Sequence, residues 1–314
     1  MSKTWPNEIK PIFIVGCERS GTTLLRAMVN AHPNIAIPYE SHRFSKMVSV
    51  SSPWEHVWTK RQVSAPIEEF LSHPKVSYWG LEVNAVLREL NVAELFRYAD
   101  VLRAIYEAYA RREGKRRWGD KTPINTFELP QLIVAFPDAQ FVHIVRDGRD
   151  VYLSWSNVDW VRYDATTAAK RWRKFVQTAH SSGKQLSPER YFELRYEDLV
   201  QDPPATLRTL CRFLKEPFSE RMLQYNETQG LVPEQEQKTF HRLLSAPPDV
   251  SRAYVWRRQA QQGDIVAFER IAGSVLIECG YGVRFTTQLM LWMNTYIERV
   301  KGKVKSLLLW VKTA

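Results

Sequence analysis

The 314-residue sequence predicts an α/β fold, a single domain in which a central parallel sheet is flanked by helices. Short β-branched and aromatic segments alternate along the chain with longer segments of helical apolar spacing. One short segment, Gln140 to Val145 (QFVHIV), is continuously apolar in character, which is typical of a central parallel strand. Strands that alternate with helices favour parallel pairing with helical crossovers.

The first half of the chain opens with a strand, a tight loop and a helix. Pro11 to Gly16 (PIFIVG) is the predicted strand, and Thr22 to Ala31 (TTLLRAMVNA) carries the helical pattern. Ile35 to Pro38 is a candidate second short strand. Asn91 is the predicted cap of a long amphipathic helix that stops at Gly114.

The second half continues the alternation. The predicted elements are a helix over 128–136, a strand over 140–145, a helix over 151–157, a helix containing Trp172 and Phe175, a strand over 191–195 and a helix after Asp202. Two prolines follow Asp202 and occupy the first helical turn, where their missing N–H groups do no harm.

The charge of the chain is basic. A total of 44 Lys and Arg against 34 Asp and Glu gives a formal charge of +10, which attracts anions. Taken alone, this charge admits nucleic acid, acidic lipid or a multiply charged nucleotide as partner.

The cysteines and the apolar segments indicate which structural sites and targeting signals to expect. Cys17, Cys211 and Cys279 lie far apart with no metal-ligand spacing, so we expect neither a disulfide nor a zinc site. The sequence has no signal-peptide pattern and no stretch of 18 apolar residues. We therefore expect a cytoplasmic protein.

The segment Cys17 to Thr23 (CERSGTT) is a candidate anion loop at the junction of strand and helix. Backbone N–H groups and the positive end of the helix dipole meet there, which suits a phosphate. Gly21 allows close backbone approach, while the hydroxyls of Ser20, Thr22 and Thr23 add donors. The alternative is an ordinary Ser/Thr helix cap.

This loop differs from the Walker A pattern, because Thr22 follows Gly21 where a nucleotide triphosphatase has lysine. The sequence therefore predicts a P-loop-like nucleotide-binding core with helical insertions. The loop lacks the P-loop lysine, which is the main electrostatic element of a kinase.

The stretch FIVGCERSGTTLLRAMVNAHP resembles the 5′-phosphosulfate loop of sulfotransferases, particularly the tyrosylprotein and carbohydrate branch. The resemblance implies 3′-phosphoadenosine 5′-phosphosulfate (PAPS) as the donor cosubstrate. It also implies that Arg19 neutralises charge at the transferring sulfuryl group and that Ser20, Gly21, Thr22 and Thr23 hold the 5′-phosphate.

A second motif, VHIVRDGRDVYLS, is similar to the 3′-phosphate site of the same family. Arg146 ends a predicted strand and Ser154 follows eight residues later, the spacing at which the family binds this phosphate. The alternative is a surface salt-bridge network. For Arg149 and Asp150 we expect that solvated network rather than ligand binding.

Two weaker resemblances complete the predicted nucleotide site. LRYEDLV is similar to a family segment whose tyrosine, here Tyr196, lies near the adenine; a buried core tyrosine is the open alternative. SRAYVWRRQ is similar to the segment that closes over the cofactor, which makes Arg257 a candidate phosphate contact.

Sulfuryl transfer needs a base for the acceptor proton and cations around the sulfonate and leaving group, but no metal. The resemblance implies Glu40, 21 residues after Arg19, as the catalytic base, with His42 as runner-up. It also implies Lys121, in WGDKTP, as stabiliser of the leaving phosphate. The turn-like setting of Lys121 leaves a surface charge as its alternative.

The acceptor is predicted only as a hydroxyl-bearing glycan, phenol, lipid or peptide, and we expect no nucleic-acid partner. Aromatic residues are candidates either for an acceptor cleft or for the core. They are Trp54, Trp58, Tyr78, Trp79, Trp155, Trp160, Tyr163 and Trp172.

We expect the catalytic domain to span residues 1–285 and a basic amphipathic helix to follow over 286–314. The stretch 286–312 has three open interpretations: packing on the domain, packing across a homodimer, or lying on an anionic membrane.

Two rival functions remain at this stage. A P-loop kinase or triphosphatase requires a P-loop lysine and a magnesium-binding aspartate, and neither is evident in the sequence. A nonenzymatic nucleotide-binding protein is suggested by the charge alone and is disfavoured by Glu40 and Lys121 beside both phosphate motifs.

Overall fold

The computed structural model describes residues 10–90, 93–158, 162–227 and 244–284. The chain divides into two compact units. Unit 1 comprises Met1–Arg146 and Thr178–Ala253, and unit 2 comprises Asp147–Gln177 and Tyr254–Ala314. The predicted C-terminal helix lies outside the described residues. No helix in the described ranges has the length and apolar character to cross a membrane.

Unit 1 is built on a parallel five-stranded sheet with β1 at its centre. The strands of the chain are β1 (Ile12–Val15), β2 (Ile35–Ala36), β3 (Val57–Thr59), β4 (Leu95–Arg97), β5 (Arg117–Lys121), β6 (Gln140–Val145) and β7 (Tyr191–Arg195). The order in the sheet is β2-β5-β1-β6-β7, while β3 and β4 form a separate antiparallel pair. Ile12 is in register with Gly119 on one side and Gln140 on the other.

Helices complete the α/β arrangement that the sequence predicts. They are α1 (Thr22–Asn30), α2 (Ser64–Ser72), α3 (Val83–Leu87), α4 (Tyr98–Arg112), α5 (Leu129–Ala135), α6 (Gly148–Ser156), α7 (Ala165–Gly183), α8 (Tyr196–Gln201), α9 (Pro203–Leu214), α10 (Trp256–Gln259) and α11 (Gln262–Glu278). The predicted fold class, a central parallel sheet flanked by helices, is confirmed.

Alternation along β1 separates two hydrophobic cores, one on each face of the sheet. Phe13 and Val15 join a core with residues of α2, α4 and α5. Ile12 and Ile14 join the other core with residues of α1, α8 and α9. Because both faces are covered, β1 (IFIV) is apolar at every position, and all six residues of β6 are buried.

The long fourth helix begins later than the sequence predicts. It starts at Tyr98, where the carboxylate of Asp100 accepts a hydrogen bond from the backbone N–H of Arg97 at 2.7 Å. Leu95, which falls within the predicted helix, belongs instead to β4 and is 61% exposed. The predicted cap, Asn91, lies outside the described residues.

A further difference concerns β5, whose segment around Lys121 has a turn-like sequence. All five of its residues, RWGDK, are buried between β1 and β2. Trp118 is in edge contact with Phe13, with ring centroids 5.8 Å apart. Lys121 therefore ends a buried strand, and the alternative interpretation as a surface charge in a turn is wrong.

Unit 2 contains a buried ionic network that starts at the RDGRD sequence. The Arg149 guanidinium pairs with Asp147 at 2.7 Å and with Glu269, and it lies 3.6 Å from the Trp256 ring centroid. Asp150 accepts from the Trp256 backbone N–H at 2.8 Å. Arg149 and Asp150 are each 1% exposed, so the expectation of a solvated network is wrong.

Replacing Arg149 should strongly destabilise the protein. Arg149→Ala leaves two buried carboxylates without their cation, which should lower the free energy of unfolding by about 3–5 kcal/mol. Urea unfolding measures this change. The control Arg208→Ala removes an exposed ion pair with Glu220 and should cost about 1 kcal/mol or less. Equal effects of the two substitutions would contradict a structural role for the Arg149 network.

Candidate active site

The anion loop between β1 and α1 has a sharply bent backbone. Gly21 has φ = 89°, and a Cβ there would lie 2.4 Å from the Tyr196 ring, so a larger residue cannot fit. Arg19 has φ = 68°, a left-handed conformation that costs free energy in a non-glycine residue. The Gly16 N–H donates to the Thr126 hydroxyl at 3.1 Å and ties the loop to the turn Pro123–Glu128.

The loop has the donor chemistry of an anion site. Helix α1 starts after Gly21 without a side-chain cap, so its first N–H groups and the positive end of its dipole face the loop. The Ser20 hydroxyl is buried and has no hydrogen-bond partner in the part of the chain that the structure describes. Burying such a group is costly, and a bound anion would satisfy it.

Three arginines make this region positively charged: Arg19 in the loop itself, and Arg146 and Arg252 beside it. The Arg146 guanidinium donates to the carbonyl oxygens of Arg19 at 3.0 Å and Arg252 at 2.8 Å. It also lies 4.5 Å from the centroid of the Tyr196 ring. Burial, and then the charges of Arg146 and Arg252, lower the pKa of Arg19. These groups repel one another, so a polyanion between them would be favourable.

Lys121 connects the loop to a carboxylate. Its ammonium lies 3.2 Å from the Thr23 hydroxyl and 2.8 Å from the carboxylate of Glu40, and the lysine side chain is only 1% exposed. Glu40 follows β2, and Lys121 ends the neighbouring strand β5, so parallel pairing brings both to the same edge of the sheet.

The charge state of Glu40 reflects its neighbours. Burial raises the pKa of this carboxyl, but Lys121 and then Lys75 and Arg26 lower it further than burial raises it. The Lys75 ammonium lies 4.0 Å from the second carboxylate oxygen. Because the net shift is downward, Glu40 is an ionised carboxylate at neutral pH and has the charge a base requires.

The runner-up base, His42, lies in a different setting. It is exposed, and its ring stacks on His73 with centroids 5.6 Å apart and planes 15° from parallel. Burial lowers the pKa of His73, and the charges of His42 and Lys75 lower it further.

Two predicted nucleotide contacts lie in unit 2. Ser154 is half-buried in α6. Arg257 is exposed in α10, with its guanidinium 4.5 Å from the centroid of the Tyr254 ring. Their predicted contacts with the 3′-phosphate and the donor remain predictions from the sequence.

Two cations of this region, Arg252 and Lys75, are not among the site residues predicted from the sequence. Arg252 stands five residues before the candidate Arg257 in the same segment, SRAYVWRRQ, where the resemblance singles out Arg257 alone. Lys75 lies in a stretch that resembles no family segment. Only its approach to Glu40 draws attention to it.

Comparison with protein families gives one match that covers most of the chain. The model of the "Sulfotransferase family" matches residues 11–220, which include the anion loop, Glu40, Lys121, Arg146 and Tyr196.

Curated relatives are similar at low identity. The protein-tyrosine sulfotransferase of Drosophila melanogaster is 25% identical over 231 residues, covering 71% of this chain and 42% of that protein. The omega-hydroxy-beta-dihydromenaquinone-9 sulfotransferase of Mycobacterium tuberculosis is 28% identical over 254 residues, covering 65% of this chain and 62% of that protein. The chain spans about half the length of the first curated relatives it matches.

Among solved structures, the sulfotransferase domain from the Synechococcus PCC 7002 olefin synthase has a TM-score of 0.62 at 24% identity. The similarity covers 90% of this chain and 100% of that domain. It supports the fold.

Substitution of Ser20 should separate stability from anion binding. Ser20→Ala removes a buried hydroxyl that lacks a partner within the described ranges, so unfolding free energy should stay equal or rise. Affinity for adenosine 3′,5′-bisphosphate should fall by about 1.5–3 kcal/mol, as for a hydrogen bond to a charged group. Calorimetry and urea unfolding measure the two quantities.

The matched control is Ser45→Ala, because the Ser45 hydroxyl donates to the carboxylate of Glu128. It should lower stability by about 1 kcal/mol and leave nucleotide affinity unchanged. If Ser20→Ala behaved like this control, Ser20 would not be an anion ligand.

Proposed function

This chain belongs to the sulfotransferase family, and we propose that it transfers a sulfuryl group from PAPS to a hydroxyl group of an acceptor. The observation that carries the proposal is the position of Lys121. A single buried ammonium contacts both Thr23 of the anion loop and the carboxylate of Glu40. The candidate anion loop, a buried cation and a carboxylate are therefore adjacent.

The reaction divides among these groups as follows. The donor supplies the sulfuryl group and a phosphate leaving group when it is bound. Glu40 accepts the proton of the acceptor hydroxyl as the new S–O bond forms. Lys121 stabilises the negative charge that grows on the leaving phosphate oxygen as the old S–O bond breaks, and Arg19 stabilises the sulfonate oxygens.

The nearby residues fit a bisphosphorylated nucleotide. Ser20, Gly21, Thr22 and Thr23 would hold the 5′-phosphate at the start of α1. Arg146 would bind the 3′-phosphate, since it lies 6% exposed next to Arg19 and Arg252. Ser154 and Arg257 are retained as further contacts on the sequence resemblance alone.

We propose that Tyr196 is both a buried core residue and a contact of the adenine, the two roles that the sequence left open. Its ring is 5% exposed, and it packs against Gly21 and the Arg146 guanidinium. A ring in this position supports the loop, and we propose that its remaining edge contacts the adenine.

The proposed acceptor is a hydroxyl-bearing molecule. The names of two relatives specify protein tyrosine and an omega-hydroxy dihydromenaquinone, which both carry a hydroxyl group. Near Glu40, Tyr39 lies 6.1 Å from the exposed Tyr78, measured between ring centroids. By contrast, Trp58 and Trp79 are 5% and 2% exposed and belong to the core. We therefore propose that the exposed Tyr78, rather than these buried tryptophans, lies beside the acceptor.

Removing the basicity of Glu40 should stop turnover without stopping donor binding. Glu40→Gln keeps the shape of the side chain but cannot accept the proton, so turnover should fall about 10²–10⁴-fold. Affinity for adenosine 3′,5′-bisphosphate should remain within about threefold of wild type. Turnover with labelled PAPS, using an acceptor found by screening phenols, glycans, sterols and lipids, checks the first quantity.

The control Glu68→Gln neutralises an exposed glutamate on α2 and should change neither quantity. Wild-type turnover in Glu40→Gln together with loss in His42→Ala would identify His42 as the base.

Because the pKa of Glu40 is lowered, the activity of the wild-type enzyme should persist at every pH above that pKa. It should disappear only as the pH falls through the pKa and Glu40 becomes protonated, which a pH–rate profile measures.

Arg146 should discriminate between nucleotides with and without a 3′-phosphate. Arg146→Ala should weaken binding of adenosine 3′,5′-bisphosphate by about 1.5–3 kcal/mol. Binding of adenosine 5′-phosphosulfate should weaken much less, because that nucleotide lacks the 3′-phosphate. Calorimetric titration with both nucleotides measures the difference, and an equal loss for the two would refute this assignment.

A further inference from the structure

Asp120 is a buried carboxylate immediately before Lys121 in β5. It is 2% exposed. One carboxylate oxygen accepts from the Tyr106 hydroxyl at 2.6 Å and from the Thr122 hydroxyl at 3.1 Å. The other accepts from the side-chain amide of Asn125 at 3.3 Å. The proposed reaction assigns no task to these groups.

Both oxygens connect to the segment that follows Glu40. On the first branch, the Thr122 hydroxyl accepts from the backbone N–H of Ser41 at 3.2 Å. On the second branch, the Asn125 side-chain oxygen accepts from the backbone N–H of Phe44 at 3.1 Å. Asp120 therefore links the strand that carries Lys121 to the segment 41–44, which is continuous with Glu40.

The hydrogen bonds that lead from the backbone of segment 41–44 to Asp120 all run in one direction, and the Ser41 hydroxyl also lies 3.3 Å from that of Thr122. Ser41 donates to Thr122, and the hydroxyl of Thr122 donates to Asp120. Phe44 donates to the Asn125 oxygen, whose amide nitrogen donates to Asp120. A carboxylate that only accepts is the group that can end both chains of donors.

Ionisation of Asp120 is less favourable in the folded protein than in the unfolded chain. Burial raises the pKa of Asp120 to about 6, although Tyr106, Asn125, Thr122 and Lys121 act in the opposite direction. A raised pKa means that folding favours the protonated form, so the ionised group destabilises the fold increasingly as the pH rises toward neutrality. The carboxylate therefore lies where its ionised form is unfavourable, and its hydrogen bonds to Tyr106, Thr122 and Asn125 hold it there.

We propose that Asp120 is a positioning residue that sets the distance between Glu40 and Lys121 by holding segment 41–44 against the end of β5. The inference rests on the proposed function, because it assigns Asp120 to the same base and cation. Asp120 touches neither donor nor acceptor in this scheme. It acts through the backbone of Ser41 and Phe44.

One substitution at Asp120 should break this network, and a second substitution at Asn125 should restore it. Asp120→Asn places an amide nitrogen against the amide nitrogen of Asn125, so two donors face each other and the second branch breaks. Combining Asp120→Asn with Asn125→Asp exchanges the two groups. The new amide at position 120 would then donate to the new carboxylate at position 125, which still accepts from Phe44. The side-chain oxygen at position 120 would still accept from Tyr106 and Thr122.

Two measurements on the full chain test the proposal. In Asp120→Asn, we expect kcat to fall at least about tenfold while affinity for adenosine 3′,5′-bisphosphate stays within about twofold. Amide hydrogen exchange in a peptide covering 39–46 should become faster. The exchanged pair, D120N with N125D, should recover both the slower exchange and most of kcat.

The outcomes separate this inference from the proposed function. Unchanged kcat in Asp120→Asn, or faster exchange without a loss of kcat, would overturn the positioning role. If wild-type protein neither bound the nucleotide nor transferred sulfuryl groups, the proposed function would fail instead. The exchange data would still test whether Asp120 holds segment 41–44. Unchanged exchange of residues 39–46 in Asp120→Asn would refute this connection. Faster exchange in Asp120→Asn that is reversed in the double variant would support it.

Discussion

The parallel pairing of β1 between β5 and β6 is the constraint on which the proposed site of unit 1 depends. Parallel strands end at the same edge of a sheet, so the anion loop after β1, Lys121 at the end of β5 and Arg146 after β6 come together there. The register of β2 with β5 adds Glu40 to this edge. Residues far apart in the sequence thus form one site because the backbone pairing aligns their strands.

The electrostatics of this edge are dominated by positive charge. Arg146 donates to two carbonyl oxygens, and the nearby Arg19 has a lowered pKa because it is buried beside two other cations. Such a cluster costs free energy, which a bound anion would offset. The buried hydroxyl of Ser20, which has no partner among the described residues, adds to this cost. Binding of a bisphosphorylated nucleotide would relieve both, which links the strain of the loop to its proposed ligand.

Two buried networks illustrate different uses of charge. Around Arg149, two carboxylates surround one guanidinium, so opposite charges compensate one another within unit 2. Asp120 instead accepts hydrogen bonds from neutral hydroxyl and amide groups and has a raised pKa because it is buried. The first network holds elements together. In the second network, Thr122 and Asn125 both donate hydrogen bonds to Asp120, which as a carboxylate can accept from both. The same two side chains accept from the backbone N–H groups of Ser41 and Phe44, beside Glu40.

Local patterns in the sequence determined the α/β class, the strands β1, β6 and β7 and the anion loop, whereas the candidates Glu40, Lys121 and Arg146 came from the resemblance of longer motifs to a family. These features follow from contiguous residues whose apolar spacing, glycines and hydroxyls act over a few positions. Only the tertiary structure decided that RWGDK is a buried strand, because its burial comes from Ile12, Phe13 and the neighbouring strands rather than from its own composition. The contact between Glu40 and Lys121, the approach of Arg252 and Lys75, and the burial of Arg149 and Asp120 likewise depend on strand register and long-range packing. Charged side chains carry no local signal of the partner that will neutralise them, so their roles become visible only when the fold brings those partners together.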